Sequence, residues 1–435
     1  MDFKPYIRAH TDELLQSLAA LIRIPSVEGT PEAGAPYGRE VARCLHETLA
    51  LCERLGFPTV NMDDRVGWCE YGEGEEMIAV LGHLDVVPAG DGWNAAAPFS
   101  GEVKDGRIYG RGTMDDKGPT VAALYALAAL KDAGFVPSRR IRILFGTNEE
   151  TGCDDMAWYL AHGGETPVMG FTPDGEYPII NGEKGIMNCV YARRLEQTGP
   201  CRLLRFEGGT AANVSPAYAM AELACPADAA ARIQASKVTV TPIEGGIRVE
   251  AQGVSAHGST PEQGENAIGR LALALTQLPL EGELADCMAF LAGRIGMETH
   301  GESLGLAMRD DLSGDLTVNL GVAAFAEETL SLTLSVRYPV TKTYDDAHPR
   351  MERAFALGGF HETKMKHKAA IYMPPESELI RKLSQVYEEQ TGEKAVLKSI
   401  GGGTYAKSIP NLVAFGPIFP GDEIREHKPD EYMEV

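Results

Sequence analysis

The sequence predicts a mainly parallel α/β domain, its mixed sheet flanked by helices, with an α+β domain inserted into it. Three observations lead there. Up to about Lys184, short and almost continuous apolar runs alternate with amphipathic helical stretches, the pattern of βαβ units. Between about Lys184 and Ile371 the strands alternate apolar and polar residues instead, as in a sheet with one solvated face. From about Tyr372 the first character returns. The expected division is 1–183 and 372–435 for the discontinuous domain, and 184–371 for the insert, with room for two small α+β subdomains.

The elements follow in order. Leu14, Leu15, Leu18, Leu21 and Ile22 recur at helical spacing within 10–24, and 38–57 is a second amphipathic helix ending at Gly56. "MIAVLGHLDVV", 77–87, reads as a strand buried on both faces. "GPTVAALYALAALKDAG", 118–134, is a helix stopped by Gly134. "RIRILFGTNEE" is another buried strand, "DMAWYLAHG" a helix, and "VMGFTPDG" a strand running into a turn. In the insert, 237–253 is a pair of strands around Gly245–Gly246. In 329–340, Leu330, Leu332, Leu334 and Val336 take one face and Ser331, Thr333, Ser335 and Arg337 the other. Helices are expected near 262–278, 345–357 and 376–391, and "NLVAFGP" closes the α/β part as a buried run.

The 435 residues carry a formal net charge of −22, which disfavours nucleic acid and anionic membrane surfaces as partners. Eight scattered cysteines include no C-x-x-C pair, so reduced thiols are the simpler reading. No signal-peptide pattern or long apolar run is present, and the expected location is the cytoplasm.

The chemistry concentrates at strand ends. His83 and Asp85 in "GHLDVV" are two apart, so on a strand they share a face, where the carboxylate can orient the imidazole. Alone, H-x-D also describes a strand-end histidine in a hydrogen bond. "GRGTMDDKGP", 110–119, sets a charged knot between glycines before a helix, and a turn with Asp115 or Asp116 as cap is the bland account. Glu149 and Glu150 follow one strand, and Asp174 follows the next. Ligands of open α/β sheets sit outside the carboxyl ends of the strands. His83, Glu149, Glu150 and Asp174 at such ends point together to a metal centre.

H-x-D, then G-x-M-D-D-K-G, N-E-E-T-G, P-D-G-E and a late histidine before D-E-Y stand in an order that resembles the di-metal peptidase clan of aminoacylases, carnosinases and carboxypeptidase-G-like enzymes. Bacterial dipeptidases of the peptidase V type are the nearest likeness, over nearly the whole chain. The resemblance implies a zinc-peptidase-like fold in which the insert is a lid. It implies His83 and Asp174 on one metal, Glu150 and His427 on a second, Asp115 bridging, and a water or hydroxide between the ions. It implies a cis Asp115–Asp116 peptide, Asp85 in support of His83, and Glu149 as general base. His257 in the insert would steady the tetrahedral oxyanion. Asn213, Arg337 and the "GGGTY" loop with Gly402, Gly403 and Thr404 would bind the substrate, Arg337 through its free carboxylate.

The expected activity is hydrolysis of unblocked dipeptides with two Zn²⁺ per chain, Mn²⁺ or Co²⁺ being possible substitutes. The alternative is an N-acyl-amino-acid amidohydrolase, such as a succinyl-diaminopimelate desuccinylase or an acetylornithine deacetylase. Enlarged lids of this type imply a monomer. Two departures from the family pattern bear on the site. The sequence has Asp430 where many relatives have Asn, and only eight residues follow His427 where relatives continue through a helix, so that a weaker anchor for that ligand is expected if Val435 is the natural end.

Overall fold

The protein is described from a computed structural model, covering residues 3–226 and 228–435. Two compact units emerge. The first comprises Met1–Asn181, Met373–Lys398 and Thr404–Val435, the second Gly182–Tyr372 and Ser399–Gly403.

The first unit is built on a mixed sheet in the order Thr59–Met62, Val66–Tyr71, Arg140–Gly146, Met77–His83, Met169–Thr172, Leu412–Ala414 and Ile179–Glu183. Met77–His83 runs parallel to both of its neighbours, and Leu412–Ala414 is parallel to Met169–Thr172. The strands on either side of this parallel centre are antiparallel. Continuous apolar runs form the centre because helices cover both faces. Cys69 packs in the core with helices Thr11–Ile22, Arg39–Arg54 and Lys117–Asp132. Its neighbour Trp68, on the opposite face, meets Tyr159 of helix Asp154–Ala161 edge-on. Helix Glu378–Thr391 buries Leu379, Ile380 and Leu383 against Ile179 and Val413.

The strand expected over 77–87 stops at His83. Its parallel partner ends at Gly146, and the chain turns away as Leu84 N–H donates to the Gly146 carbonyl and Val86 N–H to that of Ser26. Asp85 therefore lies beyond the strand.

The second unit is one eight-stranded antiparallel sheet, not the two small subdomains expected. One half runs Val238–Ile243, Gly246–Gln252, Tyr218–Ala224, Arg202–Gly208, and the other Thr317–Ala326, Thr329–Tyr338, Gly185–Arg194, His361–Lys368. The halves join where Glu207 and Gly208 pair with Ala324 and Ala323. A single apolar core runs under both, with helices Ala267–Leu275, Gly282–Phe290 and Tyr344–Leu357. The helix expected over 262–278 begins later, because the Asn266 side chain accepts from the Ile268 and Gly269 N–H groups and starts it there.

Two further expectations change. The polar face around Arg337 is not solvated: Thr317, Asn319, Ser335 and Arg337 are all buried. Loops of the same unit cover it, as Asn319 bonds Ser215 and the Ala212 carbonyl, and Arg337 bonds the Gly401 carbonyl. Nor are all cysteines free. Cys201 and Cys225 form a disulfide, with their Cα atoms 4.4 Å apart at the ends of paired strands. Their 24-residue separation hides that proximity in the sequence.

Candidate metal centre

The first unit brings the ligand-type residues together at the carboxyl ends of its parallel strands. His83 is the last residue of its strand, Glu149 and Glu150 follow Gly146 closely, and Asp174 stands two residues past Thr172. Asp115 precedes helix Lys117–Asp132 across a cis Asp115–Asp116 peptide. Side-chain ligand atoms of His83, Glu149 and Asp174 all lie within 4.8 Å of one another, and so do those of Asp115, Glu150 and His427. Glu149, expected as general base, thus stands in the first group beside two expected ligands.

Asp115 faces both histidines. Its Oδ1 lies 2.8 Å from His83 Nε2, and its Oδ2 lies 2.9 Å from His427 Nε2. His427 Nε2 is also 3.1 Å from Glu150 Oε2. His83 is fully buried, and its Nδ1 donates to the Asp85 carbonyl at 2.9 Å. A carbonyl can only accept, so Nδ1 holds a proton, and in the neutral ring Nε2 presents a lone pair to a carboxylate oxygen. A metal ion between those atoms would make that contact favourable, as a second ring proton would. The donor set fits a metal on this ground.

The charge balance agrees. Among the described residues, no lysine or arginine pairs with Asp115, Glu149, Glu150 or Asp174. Burial and then the nearby Asp174 push Glu149 well above the usual carboxylate range. Burial, with Asp115 next, raises Asp174 to about 7. Hydrogen bonds to Asp115 and Glu150 lift His427 to about 11. Burial opposes the His83 imidazolium, but Asp115 and Asp85 outweigh it and raise that group too. Burial also opposes ionised Asp115, yet the two histidines hold it below its ordinary value. Acids crowded into one place call for positive charge, which metal ions would supply.

Backbone contacts hold the cluster in place. The Asp85 carboxylate accepts from the N–H groups of Glu149 at 3.1 Å and Glu150 at 3.0 Å. It stands 3.6 Å from His83 Nδ1, so the support to the imidazole comes from the Asp85 carbonyl and the carboxylate orients the glutamate pair. Asp116 makes no helix cap; its Oδ2 accepts from His83 N–H and Thr120 Oγ1. Gly82 makes room for that, since a Cβ there would meet Thr120 Oγ1 at 1.9 Å.

Residues that sequence reasoning missed are mostly buried acids with backbone partners. Asp155 accepts from the N–H groups of Thr147 and Asn148 and from the Tyr405 hydroxyl, and so fixes the turn before Glu149. Glu431 accepts from Gly112, Met114, Asp115 and Arg111. The only hint was its place beside His427 in "REHKPDEY". The expectation of a weak anchor for His427 fails on these contacts. Asp430 accepts from the Asn94 and Ala95 N–H groups, and Tyr432–Glu434 pairs with Arg107–Tyr109.

In the second unit, Asn213 and His257 adjoin. Val214 pairs with His257, and the Asn213 carbonyl accepts from Gly258 N–H. Desolvation and then Arg337 hold His257 below its ordinary range. Arg337 Nε donates to Ser335 Oγ and Nη1 to the Gly401 carbonyl, with no carboxylate partner among the described residues. Burial lowers its guanidinium to about 10. Gly402 and Gly403 belong to this unit, while Thr404 belongs to the first, where its hydroxyl accepts from Ala406 N–H.

Residues 79–435 match the model of peptidase family M20/M25/M40. The chain belongs to this family. It is 37% identical to the putative dipeptidase YtjP of Bacillus subtilis (strain 168), over all of this chain and 96% of that protein. It is 34% identical to the Beta-Ala-Xaa dipeptidase of Lactobacillus delbrueckii subsp. lactis, over all of this chain and 94% of that one. In three dimensions it resembles the di-peptidase Dug1p of Saccharomyces cerevisiae, with a TM-score of 0.58 over 98% of this chain and 93% of that one at 14% identity, a likeness of fold. A member of this family with such a ligand cluster is a metallopeptidase, a hydrolase of peptide bonds.

Proposed function

We propose that the chain hydrolyses the peptide bond of unblocked dipeptides, with two metal ions held by His83, Asp174, Asp115, Glu150 and His427. The observation that carries the metal reading is Asp115, whose two oxygens each face a histidine nitrogen. The dipeptide reading rests on the full-length relatives, two of them dipeptidases or putative dipeptidases by name. Zinc suits the mixed imidazole and carboxylate set, and manganese or cobalt would substitute.

When bound, the metals supply an acidified water and polarise the scissile carbonyl. The rest falls to side chains of this chain. Glu149 takes the proton from the attacking water and delivers it to the leaving amine. Asp85 keeps the Glu149–Glu150 backbone in place through two hydrogen bonds. His257 and Asn213 are assigned to the developing oxyanion. Arg337, buried and without a carboxylate partner among the described residues, is assigned to the substrate's free carboxylate, and Gly402 and Gly403 of the same unit are assigned to it as well. The working form is a monomer in the cytoplasm; among the described residues no helix is long and apolar enough to cross a membrane.

The test is a panel of dipeptides, β-alanyl ones included, beside N-acetyl and N-succinyl amino acids. Each is assayed after chelation and after zinc or manganese is restored. Metal-dependent cleavage of the dipeptides is expected. Cleavage of the acylated amino acids alone would overturn the substrate class, and no cleavage with any metal would overturn the activity. Light scattering that gave twice the chain mass would overturn the monomer.

A further inference from the structure

We infer that Glu431 is a positioning residue that fixes Asp115 and His427, which lie far apart in the chain, as one rigid piece, and thereby sets how tightly metal is held. The inference rests on the metal reading above. Glu431 is fully buried. Its Oε1 accepts from the backbone N–H groups of Gly112 at 3.0 Å, Met114 at 2.9 Å and Asp115 at 3.3 Å. Its Oε2 accepts from Arg111 Nη1 at 2.5 Å, and its carbonyl accepts from Gly110 N–H at 2.9 Å. One residue therefore gathers the loop 110–115 from five donors, one of them the amide of Asp115 itself.

The return contacts come from Arg111. Its guanidinium donates to the Lys428 carbonyl, next to His427, and to the Ala89 carbonyl. The loop bearing Asp115 and the segment bearing His427 thus hold each other in both directions. His427 needs such support, since its side chain is about half exposed and its backbone takes a left-handed φ of 60°. The strand pairing of Tyr432–Glu434 already ties this segment to the first unit, so the fold has an anchor without the carboxylate. A buried ion pair is in any case weak evidence of added stability. What distinguishes Glu431 is where its donors lie: on the loop that ends at Asp115. Outer contacts that orient ligands are worth roughly 10- to 100-fold in metal affinity.

The experiment uses the full chain and reads metal rather than turnover. Zinc content after equilibrium dialysis, the visible spectrum of the cobalt-loaded protein and the thermal midpoint are compared for the wild type, Glu431→Gln and Arg111→Gln. Asp310→Asn serves as control. That carboxylate also ties loop amides, those of Leu312, Ser313 and Thr341, but in the second unit. Glu431→Gln is expected to stay folded, to bind zinc roughly 10- to 100-fold more weakly and to shift the cobalt spectrum. Arg111→Gln should do the same to a smaller degree, and Asp310→Asn should lower the midpoint with metal binding intact. Wild-type affinity and spectrum in either folded Glu431→Gln or Arg111→Gln would overturn the inference. Failure of both to fold would assign the clamp to the fold and overturn it equally. A wild type that bound no metal would sink the metal reading itself, a result distinct from both.

Discussion

The two units of this chain leave opposite charges uncompensated. In the first, Asp115, Glu149, Glu150 and Asp174 crowd around two histidines with no lysine or arginine paired to them among the described residues. In the second, Arg337 is buried on a polar face with a hydroxyl and a carbonyl for partners and, among the described residues, no acid. Buried charge without a partner is costly, and folding alone gives no reason to keep it. Under the proposal above, a ligand of the opposite sign would complete each site: metal ions for the acids, a substrate carboxylate for the arginine.

The comparison can be broken at several points. The largest effect is expected for Glu149→Gln, which should lower turnover by roughly 10²- to 10⁴-fold while both metals stay bound, as checked by rate and elemental analysis. Parallel loss of metal would instead make Glu149 a ligand, as its place beside His83 and Asp174 allows. Arg337→Met should lower kcat/KM for free dipeptides by about 100-fold, in line with a lost buried charge contact. Dipeptide amides should be equally poor substrates for both proteins, and a variant equally active on free dipeptides would remove the arginine from the account. Chelation should lower the thermal midpoint of the whole chain, since two ions at 100 times their Kd each contribute about 2.7 kcal/mol. An unchanged midpoint would mean that the acids are content without metal. The smallest effect is for Asn266→Ala, which removes a helix cap in the second unit and should cost about 1 kcal/mol with metal content unaltered.

Much of the first unit was legible because buried parallel strands are largely apolar. Met77–His83 and Arg140–Gly146 stand out for that reason, and ligand-type residues just after such runs are conspicuous. The supporting contacts were not. Asp155 and Glu431 are acids in polar surroundings of sequence and look like surface residues until the chain folds amides around them. The sequence pointed to Asp85 beside His83, but not to its hold on the Glu149 and Glu150 amides, which depends on where the strand stops against Gly146. In the second unit, the alternation in Thr329–Tyr338 was readable. The union of both halves in one sheet was not, since it depends on two residue pairs between Arg202–Gly208 and Thr317–Ala326, distant in the chain and unmarked by any local pattern.

Anomalous diffraction from crystals grown with zinc tests the central claim most directly. The account expects two peaks per chain, one beside His83 and Asp174 and one beside Glu150 and His427, with Asp115 touching both. A chain without a peak at that cluster, or with its zinc bound elsewhere, would contradict it.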